Sequence, residues 1–481
     1  MTQQNYIDGN WVGAGDGSTF EQRNPANLDE VTGLWPKGTR EDARQAIEAA
    51  HEAFGDWAAM GVYKRAEYLT RAVEVLKGKT DEIAATLTRE NGKTLAESQT
   101  EVGSAIREME FQIAQGVSMC GEVAPSATDG VFAYSVRRPL GVASIISPWN
   151  FPFNVPGRKC TPALISGNTI VFKPATLTPG AGKAFVDIFV EAGLPPGVLN
   201  FVCGGGSTVG DEMITNPLVE SVSFTGSTGV GKGIQQSVAS TLIRTQLEMG
   251  GKNPAVILED ADLDKAADAV ATAAYACAGQ WCTSTSRAIV VRDVAEAFTA
   301  KVLERVNAMR VGEGTGDVDM GPVCGSDQLE TIMGYIEIGQ GEGAQLAAGG
   351  NRLTDHGMSQ GCFVEPTVFT GVQPGMRIAQ EEIFGPVLSV MEAGDFAEAL
   401  QLANAVEFGL SSSIFTRDIS RAFQFLDQTE VGLTHVNMMT AYREPQLSFG
   451  GVKNSGHGIP ESGKTGIEFF TEHKVAFINY M

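Results

Sequence analysis

Residues 279–291, with the sequence GQWCTSTSRAIVV, set one cysteine on a short polar segment that runs into an apolar stretch. Residues 287–291 are typical of a buried strand, and residues 263–275, before the segment, are typical of a helix. Helix, loop and strand in this order indicate an α/β unit with Cys282 on the loop. Such a loop exposes a thiol while its anchors fix the direction of the sulfur, which suits a catalytic cysteine. The alternative role for a lone cysteine is that of a small buried hydrophobe.

The segment before this unit alternates between apolar runs and helical stretches. The runs occupy residues 141–146, 169–172, 198–202, 220–224 and 243–247. This alternation implies a parallel sheet covered on both faces, in which ligands bind beyond the carboxyl ends of the strands. A second alternating unit follows, from about residue 254 to 433. We expect the active site in the cleft between the two units.

The N-terminal part of the chain predicts helices followed by a hairpin. Residues 39–120 are expected to be mostly helical, because two capping boxes, Thr39–Asp42 and Thr94–Glu97, precede periodic apolar stretches. Residues 121–140 carry the turn signal Asp129-Gly130 ahead of an alternating run, which predicts a β-hairpin.

Composition narrows the class of protein. The chain has 481 residues and a net charge of 35 − 57 = −22, which disfavours nucleic acid and anionic membranes as partners. The N-terminus lacks the features of a secretory signal, and no apolar run approaches the ~20 residues needed to span a bilayer. The seven cysteines form neither a disulfide framework nor a metal-ligand cluster, so we expect no metal and a reduced, cytoplasmic location.

A glycine-rich stretch, FTGSTGVGK at residues 224–232, suggests contact with phosphate. It is not a P-loop, because Gly233 stands where the Mg²⁺-binding hydroxyl belongs. What remains is a strand that ends at a helix N-terminus, where free N–H groups favour an anion. A simple helix cap is the alternative explanation for Ser227.

Seven motifs occur in order along the chain: PWNFP (148–152), KPAT (173–176), FTGS (224–227), LEMGGKNP (247–254), GQWC (279–282), EEIFGPV (381–387) and SFGG (448–451). In these motifs the chain resembles the aldehyde dehydrogenase superfamily over nearly its whole length. The resemblance implies an α/β fold class. It places a dinucleotide-binding parallel-sheet domain at residues 1–120 and 141–248, and a catalytic α/β domain at residues 249–455. It places a small β oligomerisation arm at residues 121–140 and 456–481, which suits a homodimer or homotetramer.

The resemblance also implies the chemistry, the oxidation of an aldehyde to a carboxylic acid. Cys282 corresponds to the nucleophile, and the Asn150 side chain with the Cys282 main-chain N–H corresponds to the oxyanion donors. Glu248 corresponds to the base that activates water. Without the resemblance, a solvated carboxylate at the end of a strand is the plainer interpretation of Glu248.

The cofactor implied is NADP or NAD. The residues that match its binding positions are Lys173, Thr176, Trp149, Gly226, Ser227, Val230, Glu382 and Phe384. Many relatives have a glutamate where this chain has Thr176, and that glutamate accepts the ribose hydroxyls of NAD. Its absence predicts that NADP is used at least as well as NAD. A solvated lysine and a surface glutamate are the alternative roles of Lys173 and Glu382.

The expected substrate is a small aldehyde with a terminal carboxylate, 2-oxoglutarate semialdehyde first and succinic semialdehyde second. The residues assigned to it are Arg158, Phe151, Trp281 and Phe449. Arg158 matches an arginine of semialdehyde dehydrogenases and is expected to hold the carboxylate. The alternative is that Arg158 pairs with a neighbouring acid. The bulk of Trp281, and Ala276 where many such relatives have an arginine, keep aromatic aldehydes as the second substrate class.

Three other functions are alternatives to aldehyde oxidation. A coenzyme-A-acylating relative commonly lacks the glutamate matched by Glu248, and a non-catalytic structural relative has no need of Cys282. A Cys–His hydrolase requires a histidine beside the thiol. The five histidines are scattered at positions 51, 356, 435, 457 and 473, and among them His435 is the candidate.

Overall fold

The computed structural model describes residues 2–355 and 357–481, so Met1 and His356 lie outside the described residues. In chain order the strands are β1 (Asn5–Ile7), β2 (Asn10–Val12), β3 (Thr19–Asn24), β4 (Asn27–Pro36), β5 (Val123–Ala124), β6 (Val131–Pro139), β7 (Val142–Ile146), β8 (Thr169–Lys173), β9 (Leu199–Phe201), β10 (Val219–Thr225), β11 (Arg244–Glu248), β12 (Asn253–Ile257), β13 (Thr285–Val291), β14 (Gln345–Ala348), β15 (Thr367–Thr370), β16 (Val387–Ala393), β17 (Phe408–Gly409), β18 (Ser411–Phe415), β19 (Leu433–Val436), β20 (Val452–Lys453), β21 (Gly456–His457) and β22 (Thr471–Asn479). The α-helices are α1 (Arg40–Ala59), α2 (Val62–Gly78), α3 (Thr80–Asn91), α4 (Leu95–Val117), α5 (Asn154–Ser166), α6 (Pro179–Glu191), α7 (Asp211–Thr215), α8 (Thr228–Val238), α9 (Leu263–Tyr275), α10 (Arg292–Ala308), α11 (Ser326–Gly341), α12 (Arg377–Gln380), α13 (Phe396–Asn404), α14 (Ile419–Gln428) and α15 (Thr465–Phe469).

The first sheet has the strand order β2-β1-β9-β8-β7-β10-β11-β21. The strands from β9 to β11 are parallel, and antiparallel strands close both edges. The chain begins this parallel part at β7, moves outward to β9, and then returns to the other side of β7 for β10 and β11. A crevice therefore opens at the carboxyl ends of β7 and β10, where the direction reverses. The apolar runs of the sequence are confirmed as the strands of this sheet.

Both faces of the first sheet are buried. Neighbouring residues of a strand point to opposite faces, so Val171 packs in the cluster that includes α1, α7 and α8. Ile170 and Phe172 pack in the cluster that includes α2 to α6. The predicted capping boxes begin two of these helices, with Thr39 starting α1 and Thr94 starting α4.

The second sheet has the strand order β14-β15-β16-β13-β12-β18-β19, with every neighbouring pair parallel except β14 and β15. Only residues 249–252 separate β11 from β12. The chain thus passes straight from the carboxyl edge of the first sheet to the amino edge of the second. Cys282 lies just before β13 and Glu382 lies before β16, so both stand on that amino edge.

A third, small antiparallel sheet has the order β22-β6-β5. Strand β6 of the expected hairpin pairs with the C-terminal strand β22 along its whole length, from Thr471 opposite Pro139 to Asn479 opposite Val131. The segment 456–481, expected as a whole in this arm, divides in two. Its first part stays on the body, because β21 pairs with β11 and α15 packs against α4 and α5. Within the described residues, no helix has both the length and the apolar character needed to cross a membrane.

Candidate active site

The loop that carries Cys282 is held in a rare backbone conformation. Three consecutive residues before it have left-handed φ angles, 52° at Cys277, 54° at Ala278 and 67° at Gly279. Such angles are costly for residues with side chains and persist where the surroundings fix them. One fixing contact is the main-chain N–H of Cys277, which donates to Glu97 Oε1 at 2.6 Å. The polar segment of the sequence is therefore a rigid turn between α9 and β13.

Glycines let two other loops approach this turn. A Cβ on Gly279 would overlap the main chain of Gly385, and a Cβ on Gly250 would overlap the Glu382 carboxylate. The Gly251 N–H donates to Glu382 Oε1 at 2.9 Å. The group that approaches the glycine pair after Glu248 is thus the Glu382 carboxylate.

The main chain around the thiol is tied to the second sheet. Asn253 Nδ2 donates to the carbonyl oxygens of both Cys282 and Ser284, each at 2.8 Å. In the described part of the chain, the main-chain N–H of Cys282 has no acceptor. That N–H is therefore free to donate to an oxygen bound beside the sulfur.

Asn150 is fixed from two directions. Its side-chain Nδ2 donates to Gln280 O at 3.0 Å, and its main-chain carbonyl oxygen accepts from Lys93 Nζ at 2.6 Å. Lys93 is fully buried and forms an ion pair with Glu101 at 2.6 Å. One amide hydrogen of Asn150 remains for a ligand, since Nδ2 has two and Gln280 takes only one.

Glu101 extends this anchoring to the start of α5. Its Oε1 accepts from the main-chain N–H groups of Phe153 at 2.9 Å and Asn154 at 3.0 Å. The Lys93 ammonium also lies 4.2 Å from the centre of the Phe151 ring. One buried ion pair thus contacts the segment after β7 at both Asn150 and the start of α5. Neither member is recognisable from the sequence, because a lysine and a glutamate eight residues apart carry no motif of their own.

Glu248 is the last residue of β11 and is buried. Burial and the charge of Glu461 raise the pKa of Glu248 well above its usual range, against the opposing charges of Lys159 and Arg158. Its Oε2 atom has no hydrogen-bond partner in the described residues. A carboxylate with a raised pKa and a free oxygen is suited to accept a proton.

The pKa of the Cys282 thiol is also shifted from its ordinary value. Burial raises the pKa of Cys282 to about 12, and the positive charge of Arg158 opposes this shift. Nearby carboxylates, with Glu382 first, add to the increase. The thiol of the ligand-free protein is therefore protonated at neutral pH and needs a proton acceptor in order to react.

A cavity of about 700 Å³ joins these groups. Twelve of the fifteen residues assigned from the sequence line it: Trp149, Asn150, Phe151, Arg158, Gly226, Ser227, Glu248, Trp281, Cys282, Glu382, Phe384 and Phe449. Lys173, Thr176 and Val230 do not. They lie further along the carboxyl edge of the first sheet, where Lys173 ends β8, Thr176 is exposed just after it, and Val230 is exposed on the first turn of α8.

Arg158 lines the cavity and also has an acid partner. Its Nη1 atom lies 3.2 Å from Glu461 Oε1, and Glu461 Oε2 lies 2.8 Å from Lys159 Nζ. The alternative interpretation of Arg158, pairing with a neighbouring acid, therefore describes its contacts. Arg158 lies within α5, whereas Phe151 lies in the turn before that helix, which begins only at Asn154. Glu461 carried no signal in the sequence, because it is 461 − 158 = 303 residues from its partner.

His435 does not contact the thiol, and the Cys–His pairing is wrong. Its two ring nitrogens lie 2.9 Å from the carbonyl oxygens of Ser412 and Tyr442. The ring belongs to β19, at the edge of the second sheet, and does not line the cavity. Both ring nitrogens are occupied by the main chain, so His435 is not available as a base for Cys282.

Comparison with known proteins identifies the family. The model of the aldehyde dehydrogenase family matches residues 11–476. The chain belongs to the aldehyde dehydrogenase family. It is 41% identical over 478 residues to the alpha-ketoglutaric semialdehyde dehydrogenase of Bacillus subtilis, covering 99% of this chain and 98% of that protein. It is 41% identical over 470 residues to the 2,5-dioxopentanoate dehydrogenase of Saccharolobus solfataricus, covering 97% of each.

Solved structures of the family share the whole fold. A betaine aldehyde dehydrogenase from Staphylococcus aureus, in complex with NAD⁺, superposes with a TM-score of 0.97 at 34% identity, covering 100% of this chain and 98% of that one. An NADP-dependent enzyme from E. coli gives a TM-score of 0.96 at 33% identity, covering 99% and 98%. The family and fold expected from the motifs are confirmed.

The cofactor region of this aldehyde dehydrogenase has the groups that a dinucleotide needs. Ser227 makes no side-chain cap at the start of α8, so the first N–H groups of that helix are open to an anion. Lys173 Nζ has one partner in the described residues, Pro174 O at 3.0 Å, and keeps donors for hydroxyls. Burial raises the pKa of Glu382 to about 7. The Trp149 and Phe384 rings meet edge to face at 5.3 Å beside it. These residues fit a phosphate-bearing dinucleotide.

The Lys93–Glu101 ion pair can be tested by Lys93→Met. The change leaves the Glu101 carboxylate buried without its counter-ion, which costs about 3–5 kcal/mol. It also removes the hydrogen bond to the main-chain carbonyl of Asn150. The side-chain amide then loses its fixed position, so kcat should fall by a larger factor than KM changes. Thermal unfolding and steady-state kinetics measure the two effects. The matched control is Lys77→Met, which removes an exposed lysine from its pairs with Glu74 and Glu110. Equal melting temperatures for the two variants would contradict the structural role of Lys93.

The acidity of the thiol predicts a pH dependence. Because the pKa of Cys282 is about 12, the thiolate fraction increases about tenfold for each pH unit below that value. Alkylation of the cofactor-free enzyme by iodoacetamide should therefore accelerate throughout pH 6–10 without a plateau. A Cys282→Ala variant supplies the background from the other cysteines. A plateau below pH 8 would show that the thiol is already ionised in the ligand-free enzyme.

Proposed function

We propose that this aldehyde dehydrogenase oxidises a carboxylate-bearing semialdehyde, with NADP or NAD as the hydride acceptor. 2-Oxoglutarate semialdehyde, which is 2,5-dioxopentanoate, is the first candidate and succinic semialdehyde the second. The observation that supports this function most is the set of residues that line one cavity. A thiol, a side-chain amide and a buried carboxylate, from Cys282, Asn150 and Glu248, line it together with three arginines.

The first chemical step belongs to Cys282. Its sulfur bonds to the aldehyde carbon, and the carbonyl oxygen takes the negative charge. The second amide hydrogen of Asn150 and the main-chain N–H of Cys282 donate to that oxygen. The thiol proton leaves to water as the bond forms, and the positive charge of Arg158 favours the thiolate. When bound, the nicotinamide accepts the hydride from the aldehyde carbon, so the acyl group is left on Cys282 as a thioester.

Release of the acid belongs to Glu248. In its ionised form it takes a proton from water, whose oxygen then bonds to the thioester carbon while the carbon–sulfur bond breaks. The balance is one aldehyde, one water and one oxidised cofactor to one carboxylate, one reduced cofactor and two protons. The raised pKa of Glu248 makes it the stronger base once it is ionised.

The carboxyl edge of the first sheet supports the placement of the cofactor. Lys173 ends β8 and Glu248 ends β11, with β7 and β10 between them. Three strand spacings separate the two residues, roughly 14 Å. We place the adenosine half beside Lys173, Thr176 and Val230, and the pyrophosphate at Gly226 and Ser227. The nicotinamide half then lies against Trp149, Glu382 and Phe384.

The choice of substrate is supported by the chemistry of the cavity and by the named relatives. Two of those relatives are dehydrogenases of the first candidate. Arg107, Arg158 and Arg443 line the cavity and supply positive charge for a carboxylate. One contact favours the second class, aromatic aldehydes, since the Phe151 and Trp281 rings stand 5.0 Å apart in the same cavity.

Strand β22 exposes Val475 and Phe477 on one face and Ile478 on the other, and exposed apolar residues of this kind favour a homodimer or homotetramer built through the arm. A cytoplasmic location suits its seven cysteines, which are unpaired in this structure. The only partner needed for catalysis is the small aldehyde with its cofactor.

Substitution of Glu248 by Gln separates the two chemical steps. Acyl transfer to Cys282 should survive, while hydrolysis fails for lack of a base. Stopped-flow absorbance should therefore show a burst of about one reduced cofactor per active site, followed by a stalled steady state. Cys282→Ala should give neither burst nor turnover. Slow turnover of Glu248→Gln without a burst would mean that Glu248 acts before the thioester forms.

Cofactor choice can be tested at Thr176. This threonine is exposed after β8, and Lys173 nearby is a cation for a 2′-phosphate. The wild type should use NADP at least as well as NAD. Thr176→Glu should shift the kcat/KM ratio toward NAD by about tenfold or more, because a carboxylate repels the phosphate. A strong preference of the wild type for NAD that Thr176→Glu leaves unchanged would overturn this assignment.

A further inference from the structure

The connector between the two sheets, residues 249–252, carries one charged side chain. Its main chain is already bonded on both sides of that residue. The Gly251 N–H donates to Glu382 Oε1 at 2.9 Å, and the Lys252 carbonyl oxygen accepts from Arg287 Nε at 3.0 Å. The side chain of Lys252 has no part in these contacts, and the mechanism described above does not use it.

The Lys252 side chain is buried without a partner. The residue is 1% exposed, and within residues 2–355 and 357–481 its Nζ atom has no hydrogen-bond partner. Burial lowers the pKa of Lys252 to about 7, and the positive charge of Arg287 adds to this decrease. A buried polar group that lacks a hydrogen bond costs the folded state free energy. Stability therefore gives no reason for an amine at this place, and a functional reason is needed.

The neighbour of Lys252 on β13 is a second buried cation. Arg287 is 1% exposed, and its guanidinium donates to the carbonyl oxygens of Lys252, Leu402 and Ala403 at 2.9 to 3.0 Å. Among the described residues these neutral oxygens are its only acceptors. Two buried cations without a bonded acid leave an excess of positive charge, which attracts a carboxylate.

Two acids act on Lys252 through their charge, first Glu382 and then Glu381. Glu381 is already committed, because its carboxylate accepts from Arg377 Nη2 at 2.8 Å and from the Tyr335 hydroxyl at 2.7 Å. Glu382 lines the cavity and, in the part of the chain that the structure describes, accepts only the connector's N–H. Glu382 is therefore the carboxylate on which the charge of Lys252 has an effect.

The two groups titrate in the same pH range. Burial raises the pKa of Glu382 to about 7, while the Gly251 N–H and the charge of Lys252 oppose this rise. The Cys282 thiol, on the turn that faces Glu382, stays protonated up to pH 9, since its pKa is about 12. Near neutral pH, Glu382 and Lys252 are each ionised in about half of the molecules. Loss of a proton by the acid and gain of one by the amine then leave the total charge unchanged.

We propose that Lys252 is a positioning residue for cofactor binding, because its ammonium is the counter-charge that favours the ionised form of Glu382. This inference rests on the proposed function, which places the nicotinamide half of the cofactor against Glu382. The ionised carboxylate accepts hydrogen bonds from ribose hydroxyls, and these bonds favour ionisation further. Lys252 gains a proton as Glu382 loses one, so the buried negative charge is matched by a positive charge.

The experiment measures binding of NAD⁺, which has no 2′-phosphate to titrate, to the intact enzyme by isothermal titration calorimetry. Lys252→Met keeps the length of the side chain and removes the charge, so the pKa of Glu382 should rise by about one pH unit. The Kd for NAD⁺ should increase about tenfold at pH 6 and about fivefold at pH 7, and should change little at pH 9, where Glu382 is ionised in both proteins. Lys265→Met removes a lysine that is 79% exposed and should leave Kd unchanged.

The same titrations in buffers of different ionisation enthalpy count the protons exchanged on binding. At pH 7, Lys252→Met should release about 0.9 protons per site more than the wild type, because Glu382 still ionises and no amine takes up its proton. All other titrating groups are common to the two proteins. Glu382→Gln should also weaken binding. Adding Lys252→Met to Glu382→Gln should change Kd no further, because the acid that the amine serves is gone.

The outcomes separate this inference from the proposed function. Wild-type affinity in Glu382→Gln would contradict the placement of the cofactor itself. Weakened binding in Glu382→Gln, with unchanged Kd and proton release in Lys252→Met, would overturn this inference alone. Lys252→Met should melt no lower than the wild type, because an apolar group replaces an unpartnered buried amine. A variant that melts lower or fails to fold would assign Lys252 a structural role and also overturn the inference.

Discussion

The ion pair between Lys93 and Glu101 is the constraint on which the catalytic geometry depends. Both side chains are buried, and each reaches the main chain of the segment after β7. The lysine fixes the Asn150 carbonyl and the glutamate fixes the first N–H groups of α5. A buried ion pair is strongly destabilising when one partner is lost. It therefore locks the position of the oxyanion amide relative to α4, the helix that also holds the turn before Cys282.

The connection between the two sheets explains how distant motifs meet. Because only residues 249–252 join β11 to β12, the carboxyl edge of one sheet faces the amino edge of the other. Glu248 comes from the first edge, and Cys282 and Glu382 come from the second. Glycines at the joining segment and at the turn allow these loops to approach within contact distance. The cofactor groups and the thiol then open on one cavity rather than on two separate crevices.

Local sequence patterns predict much of this structure, but they do not predict its long-range contacts. The helix 263–275 and the strands of both sheets follow from apolar periodicity, and the thiol, amide and carboxylate follow from motifs in which they are directly embedded. The ion pair of Arg158 with Glu461 joins residues 303 positions apart, so no pattern in the sequence encodes it. The resemblance places residues 456–470 in the arm, whereas β21 and α15 attach them to the body. These attachments are tertiary contacts, which no local pattern in the sequence shows.

In the proposed mechanism Cys282 carries the acyl group of the substrate. The most direct test of this role is to quench Glu248→Gln with acid after mixing with aldehyde and oxidised cofactor, and to map the modified residue by mass spectrometry. Trypsin cleavage after Lys265 and Arg287 leaves Cys277 and Cys282 on one peptide, so fragmentation must distinguish them. We expect one acyl group per chain, on Cys282. An acyl group on Cys277, or none on this peptide despite reduction of the cofactor, would contradict it.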